Sequence, residues 1–102
     1  MNYIYFLACD HVKPSLVKIG RSNKVGKRIC AIQTQSPVQV ELIGLMRAPA
    51  ETEKHLHWRF AHLRSHGEWF RLTPDLMSYI ADNAALPDGF NVRDFNASLS
   101  LL

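Results

Sequence analysis

The chain has 102 residues, 47% of them hydrophobic and 21% charged, with a net charge of +3. This suffices for one compact core without disulfide or metal staples and leaves no room for a second. No stretch approaches the roughly 18 consecutive apolar residues of a membrane span.

Residues 2–8, NYIYFLA, are aromatic and β-branched and predict a strand. Residues 9–15 hold Asp, Pro and Ser and predict a turn. Residues 16–20, LVKIG, predict the return strand of a hairpin. Alternation puts Ile4, Phe6, Val17 and Ile19 on one face as core, and Tyr3, Tyr5 and Lys18 on the other. A buried lysine is costly, so the second face is expected to be polar, wet or functional. A register that sets Tyr5 near Lys18 leaves a connection of about six residues, a plausible length.

Ser22 or Asn23 can cap a helix over about residues 24–34, with Val25, Ile29 and Ile32 as its inward stripe and Arg28 at the stripe's edge. Pro37 ends that unit, and residues 38–46, VQVELIGLM, predict a third strand. Pro49 suits the start of a helix from about 50 to 65, with Leu56, Phe60 and Leu63 inward and Gly67 as its stop. Glu68-Trp69-Phe70 reads as a short extended piece. Thr73-Pro74-Asp75 opens another helix with Leu76 and Ile80 inward. A turn at Pro87-Asp88-Gly89 precedes a tail of ambiguous pattern. The order ββαβα(β)α predicts an α+β domain with an antiparallel sheet over residues 1–85. Residues 86–102 are expected to pack on that domain or on a partner.

Charge is unevenly spread. Residues 11–40 hold six basic side chains and no acid, whereas the remainder holds six basic and nine acidic. A basic first third suggests a one-sided footprint for a polyanion. The plain alternative is a solvated helix face. Cys9 and Cys30 show no paired spacing and are expected to be reduced thiols in a cytoplasmic protein. The opening NYIYFLACDHVK lacks a basic leader, which argues against a signal peptide.

Four groups of residues could carry chemistry. Tyr3, Tyr5 and Lys18 with Arg21 and Arg28 could gather around a phosphate, because neighbouring cations would lower a phenol's pKa and arginine binds phosphate in bidentate fashion. Glu53 and His57 share a helix face at i, i+4, and a carboxylate is the usual protein ligand of Mg²⁺. His55, His57, His62 and His66 could in principle bind zinc, but no cysteine or zinc motif accompanies them. Gly67-Glu68-Trp69-Phe70 reads more readily as a helix stop and core plug than as a binding surface.

Together these pieces resemble the GIY-YIG nuclease superfamily. Its first motif corresponds to Tyr3-Ile4-Tyr5 and its second to Lys18-Ile19-Gly20, with Tyr3 in place of a glycine and Lys18 in place of a tyrosine. The arginine expected eight residues after that glycine is Arg28, and the later helical glutamate is Glu53. The resemblance is to a small bacterial and phage branch, through Val17-Lys18-Ile19-Gly20-Arg21-Ser22, Ile32-Gln33-Thr34-Gln35-Ser36-Pro37, His57-Trp58-Arg59-Phe60, Arg64 and Gly67-Glu68-Trp69-Phe70. It spans about residues 2–80.

The resemblance implies a small three-stranded antiparallel sheet flanked by helices. It also implies metal-dependent hydrolysis of DNA phosphodiester bonds. Tyr5 would be the general base for water or would orient it. Glu53 would hold one divalent ion, Mg²⁺ or Mn²⁺, and Arg28 would stabilise charge on the phosphate. Lys18 would replace the second tyrosine and depress the pKa of Tyr5. His57 would add a polar group, Arg21 a phosphate contact, and Lys24 and Lys27 further charge for DNA. The late asparagine of some members has three candidates, Asn83, Asn91 and Asn96. A lone module of this kind is expected to bind weakly, to select DNA structure, or to take specificity from a protein partner.

Two other readings stay open: a non-catalytic nucleic-acid-binding module, and a protein-interaction or inhibitor module. The latter would use Trp58 and Trp69 or the tail Leu99-Ser100-Leu101-Leu102. The sequence leaves the oligomeric state undecided.

Overall fold

The computed structural model describes residues 2–9 and 15–84. Most of the expected 9–15 turn, the Pro87-Asp88-Gly89 turn, Asn91, Asn96 and the 86–102 tail lie outside these residues. Strand β1 (Asn2–Cys9) is flanked by β2 (Leu16–Ser22) and β3 (Glu41–Ala48), all antiparallel. Helix α1 (Val25–Gln35) joins β2 to β3, and α2 (Glu51–Arg59) follows β3. A 3₁₀ turn (Ala61–Leu63) then leads to β4 (Arg64–His66), β5 (Trp69–Arg71) and α3 (Pro74–Asn83). The sheet order is β3-β1-β2-β5-β4.

The sheet therefore has five strands, not the three expected. The added hairpin, β4 and β5, consists of two three-residue strands, too short for alternation to register. All of β4 is exposed, so it carries no apolar signal. The helix expected over 50–65 ends at Arg59. Leu63 still packs inward from the 3₁₀ turn, and Arg64 is already extended with ψ 128°. Pairing of Arg64 and His66 with β5 takes the place of the last helical turn.

Ile4, Phe6, Val17 and Ile19 share one core with Leu56, Phe60, Leu76 and Ile80, so α2 and α3 cover that face. The opposite face is not wet. Tyr5 and Leu7 pack there with Ile29 of α1 and with Val40, Leu42 and Leu45. Lys18, paired on both sides within the sheet, offsets its burial cost by carrying its ammonium over the Trp69 ring, 5.6 Å from the centroid, to Glu68. Gln33 and Ser36 staple the α1–β3 connection. Gln33 accepts from Val40 N at 2.8 Å and donates to Val38 O at 3.1 Å, and Ser36 Oγ donates to Val38 O at 2.7 Å. Thr73 caps α3 by accepting from Leu76 N, with Pro74 in the first turn.

Candidate active site

Strand β5 pairs with β2 only along Leu16–Lys18, and Ile19 N donates to Glu68 O at 3.1 Å. Past that bond, Gly20, Arg21 and Ser22 continue β2 with β1 as their only strand neighbour among the described residues. Gly20 lies opposite Tyr5. The Tyr5 ring crosses the glycine so closely that a Cβ there would overlap the ring and its hydroxyl. Tyr5 is 0% exposed, and its hydroxyl makes no well-aligned hydrogen bond among the described residues, although the Arg28 guanidinium comes close enough to interact with it. A buried polar group in that state costs about 1–3 kcal/mol and calls for an explanation.

Helix α2 brings two groups to the same edge. His57 Nε2 lies 2.9 Å from Ile19 O. A carbonyl only accepts, so that nitrogen carries the proton while the bond holds. The His57 ring packs 5.1 Å from Phe70, which fixes its orientation. Glu53 Oε1 lies 3.8 Å from His57 Nε2, and Arg21 Nε donates to Glu53 Oε2 at 3.2 Å. From the β4–β5 turn comes Glu68. Gly67 holds φ at +53°, a conformation that favours glycine, and the chain returns to β2. Glu68 Oε1 sits 3.5 Å from Lys18 Nζ. Glu53, His57 and Glu68 each offer a ligand atom within 4.8 Å of the others.

Electrostatics tie these groups together. Burial raises the pKa of the Tyr5 phenol; Arg28 pulls it down, while Glu68 and Glu53 push it further up. The expected lowering is thus reversed: desolvation outweighs the one close cation, and two carboxylates reinforce it. Glu53 is raised as well, first by burial and then by hydrogen bonding and repulsion with Glu68, against the pull of His57 and Arg21. A shallow depression of about 290 Å³ opens beside Glu53, lined by Arg21, Ala50, Glu51 and Lys54.

The sequence-derived candidates separate into two sets. Tyr5, Arg28, Glu53 and His57 gather at the open edge of β2, with Arg28 reaching Tyr5 from the first turn of α1. Lys18 does not stand opposite Tyr5; it pairs with Leu7 across the hairpin and with Glu68 by charge. The register is displaced by two residues, an even number, so every side chain kept its expected face. Arg21 points to Glu53 rather than standing free for phosphate. Lys24 and Lys27 are exposed. Asn83, at the end of α3, donates to Tyr79 O and does not join the site. Glu68 was weighed in the sequence within Gly67-Glu68-Trp69-Phe70, but as a helix stop and core plug rather than as a ligand. Its signals are the acid between a helix-stopping glycine and two aromatics, and its place in a motif of the resembled branch.

The donor set suits a hard divalent cation. Two carboxylates converge beside an imidazole, where burial and Glu68 raise the cost of ionising Glu53, and a cation would relieve that cost. The poorly satisfied Tyr5 hydroxyl, with only Arg28 near it, leaves hydrogen-bonding capacity for a partner from outside the chain.

No helix among the described residues is long and apolar enough to cross a membrane. No curated protein and no solved structure matches the chain. The chain matches the T5orf172 domain over residues 2–84; no match to the GIY-YIG family was found. T5orf172 domains occur in phage and bacterial endonuclease-like proteins, which suggests a nuclease-like or DNA-binding role. With most of its length matched, this chain belongs to the T5orf172 domain family.

Proposed function

We propose that the chain is a metal-dependent DNA endonuclease of GIY-YIG type, hydrolysing phosphodiester bonds at the open edge of β2. One observation carries this reading: the buried Tyr5 hydroxyl interacts with Arg28 and feels the charges of Glu53 and Glu68, which with His57 form a cluster of potential metal ligands. Family membership supports it by pointing to a nuclease-like or DNA-binding role.

Glu53 and Glu68 would hold one Mg²⁺ or Mn²⁺. Once bound, such an ion polarises the phosphoryl group and assists the leaving oxygen. His57, donating from Nε2 to Ile19 O, steadies the backbone immediately before Gly20 and could ligate through that nitrogen only if this bond were given up. Arg28 would bind a phosphate oxygen and stabilise the charge that develops there. With its pKa raised, the Tyr5 phenol stays neutral at neutral pH, so its role is to orient the attacking water rather than to act as phenolate. Lys18 holds Glu68 in place from the opposite face.

A second reading draws on the Arg21–Glu53 pair, which already neutralises the main acid and would suit a module that binds DNA without cutting it. Nicking of supercoiled plasmid with Mg²⁺ or Mn²⁺ decides between them. The enzyme reading expects wild-type nicking, lost in Glu53→Ala and reduced about 10²-fold or more in Arg28→Ala and Tyr5→Phe. DNA binding that survives Glu53→Ala, with plasmid and branched DNA left intact by folded wild-type protein in either metal, overturns catalysis in favour of the binding module.

A further inference from the structure

Helix α2 has a second side that the cleavage site does not use. Trp58 is 76% exposed, the more exposed of the two large hydrophobic side chains that stand out in solvent among the described residues. Hydrophobic packing does not explain it, because the inward residues of α2 and its continuation are Leu56, Phe60 and Leu63. Its neighbours one turn back on α2 are Lys54 and His55, both exposed and neither acidic. The His55 ring lies 6.2 Å from the Trp58 ring at an interplanar angle of 33°, so one face of the indole is backed by an imidazole. Lys54, one turn before Trp58, lines the depression beside Glu53 and Arg21. An indole flanked by cation-forming side chains matches a nucleobase followed by phosphates: every base offers a π-face, and the strand supplies the opposite charge. Along the helix Trp58 lies about 7.5 Å beyond Glu53 and roughly 140° round the axis, with Lys54 between the two directions.

We infer that Trp58 is a stacking platform for an unpaired base of the DNA strand held at the Glu53 site, so that the preferred substrate contains single-stranded or distorted DNA. This rests on the DNA reading of the site and goes beyond it in naming the substrate's structure. A base inside a duplex is stacked on both faces and has none to offer the indole.

The test uses the full chain in EDTA, with fluorescein-labelled oligo(dT) and a fully paired duplex of equal length. Wild-type protein is expected to prefer oligo(dT), with quenching of tryptophan fluorescence. Trp58→Ala should weaken oligo(dT) binding roughly 5- to 150-fold and abolish the quench, with duplex binding and the salt slope unchanged. Trp58→Phe should keep affinity within about threefold, because an aromatic face remains. Circular dichroism of Trp58→Ala should match wild type, since so exposed a side chain adds little to the core. If Trp58→Ala binds oligo(dT) as wild type does, or loses duplex affinity equally, the stacking role is wrong while the DNA reading stands. If wild-type protein binds neither DNA, both fall together.

Discussion

Tyr5 combines complete burial with a hydroxyl that makes no well-aligned hydrogen bond among the described residues and has only the Arg28 guanidinium near it, and packing would be served as well by phenylalanine. Tyr5→Phe should therefore leave urea stability unchanged or raise it by about 1 kcal/mol, because a poorly satisfied buried group is removed, while nicking falls. A stability loss of the kind seen on deleting a satisfied hydrogen bond would contradict the poorly satisfied hydroxyl. The raised pKa adds a pH signature in metal-free protein. The folded chain holds the phenolic proton more tightly than the unfolded chain does. This contribution is constant below the unfolded pKa near 10 and is lost as pH rises through the higher folded value. The stability gap between Tyr5→Phe and wild type should widen in favour of phenylalanine above about pH 10 and stay flat below it. Tyr5, Arg28, Glu53 and His57 were legible in the sequence because motif order and spacing single them out. Glu68 was not legible as a ligand, because its position depends on a turn that brings distant residues beside β2.

At the scale of elements, the hairpin and its glycine set the site. Gly20 lets a tyrosine ring from β1 lie flat across β2 and reach the edge. Gly20→Ala should cost about 1–3 kcal/mol through overpacking, and the cost should shrink in a Tyr5→Leu background, where the far end of the ring is gone. An alanine tolerated without loss in wild type would mean that the close approach does not exist. The faces of β1 and β2, the stripe of α1 and the cap of α3 followed from periodicity and capping chemistry. Periodicity could not give the hairpin register, because the face pattern repeats every two residues, nor the β4–β5 pair, whose strands are shorter than one period of evidence. It also carried α2 past Arg59, since Leu63 and Gly67 read as a helical continuation when the chain had already turned into a strand.

At the scale of the molecule, a three-layer arrangement, α1 on one face and α2 and α3 on the other, leaves one sheet edge where side chains from both faces meet. Basic residues of β2 and α1 border that edge, and the acids that face it come from α2 and the β4–β5 turn. The charge asymmetry was visible in composition; the meeting of the two faces was not, since it depends on β5 ending beside Lys18. The pairing of Glu53 with Glu68 as a cation site beside Tyr5 and Arg28 is tested most directly by the rate of single-turnover DNA cleavage against Mn²⁺ concentration. Wild-type protein should give a saturable curve. Glu68→Gln should shift half-saturation upward by about tenfold, within the usual range for a lost outer or auxiliary ligand, and recover rate at high Mn²⁺, whereas Glu53→Gln should stay inactive throughout. Superimposable curves for all three proteins, or no cleavage by folded wild-type protein at any Mn²⁺ concentration, would contradict it.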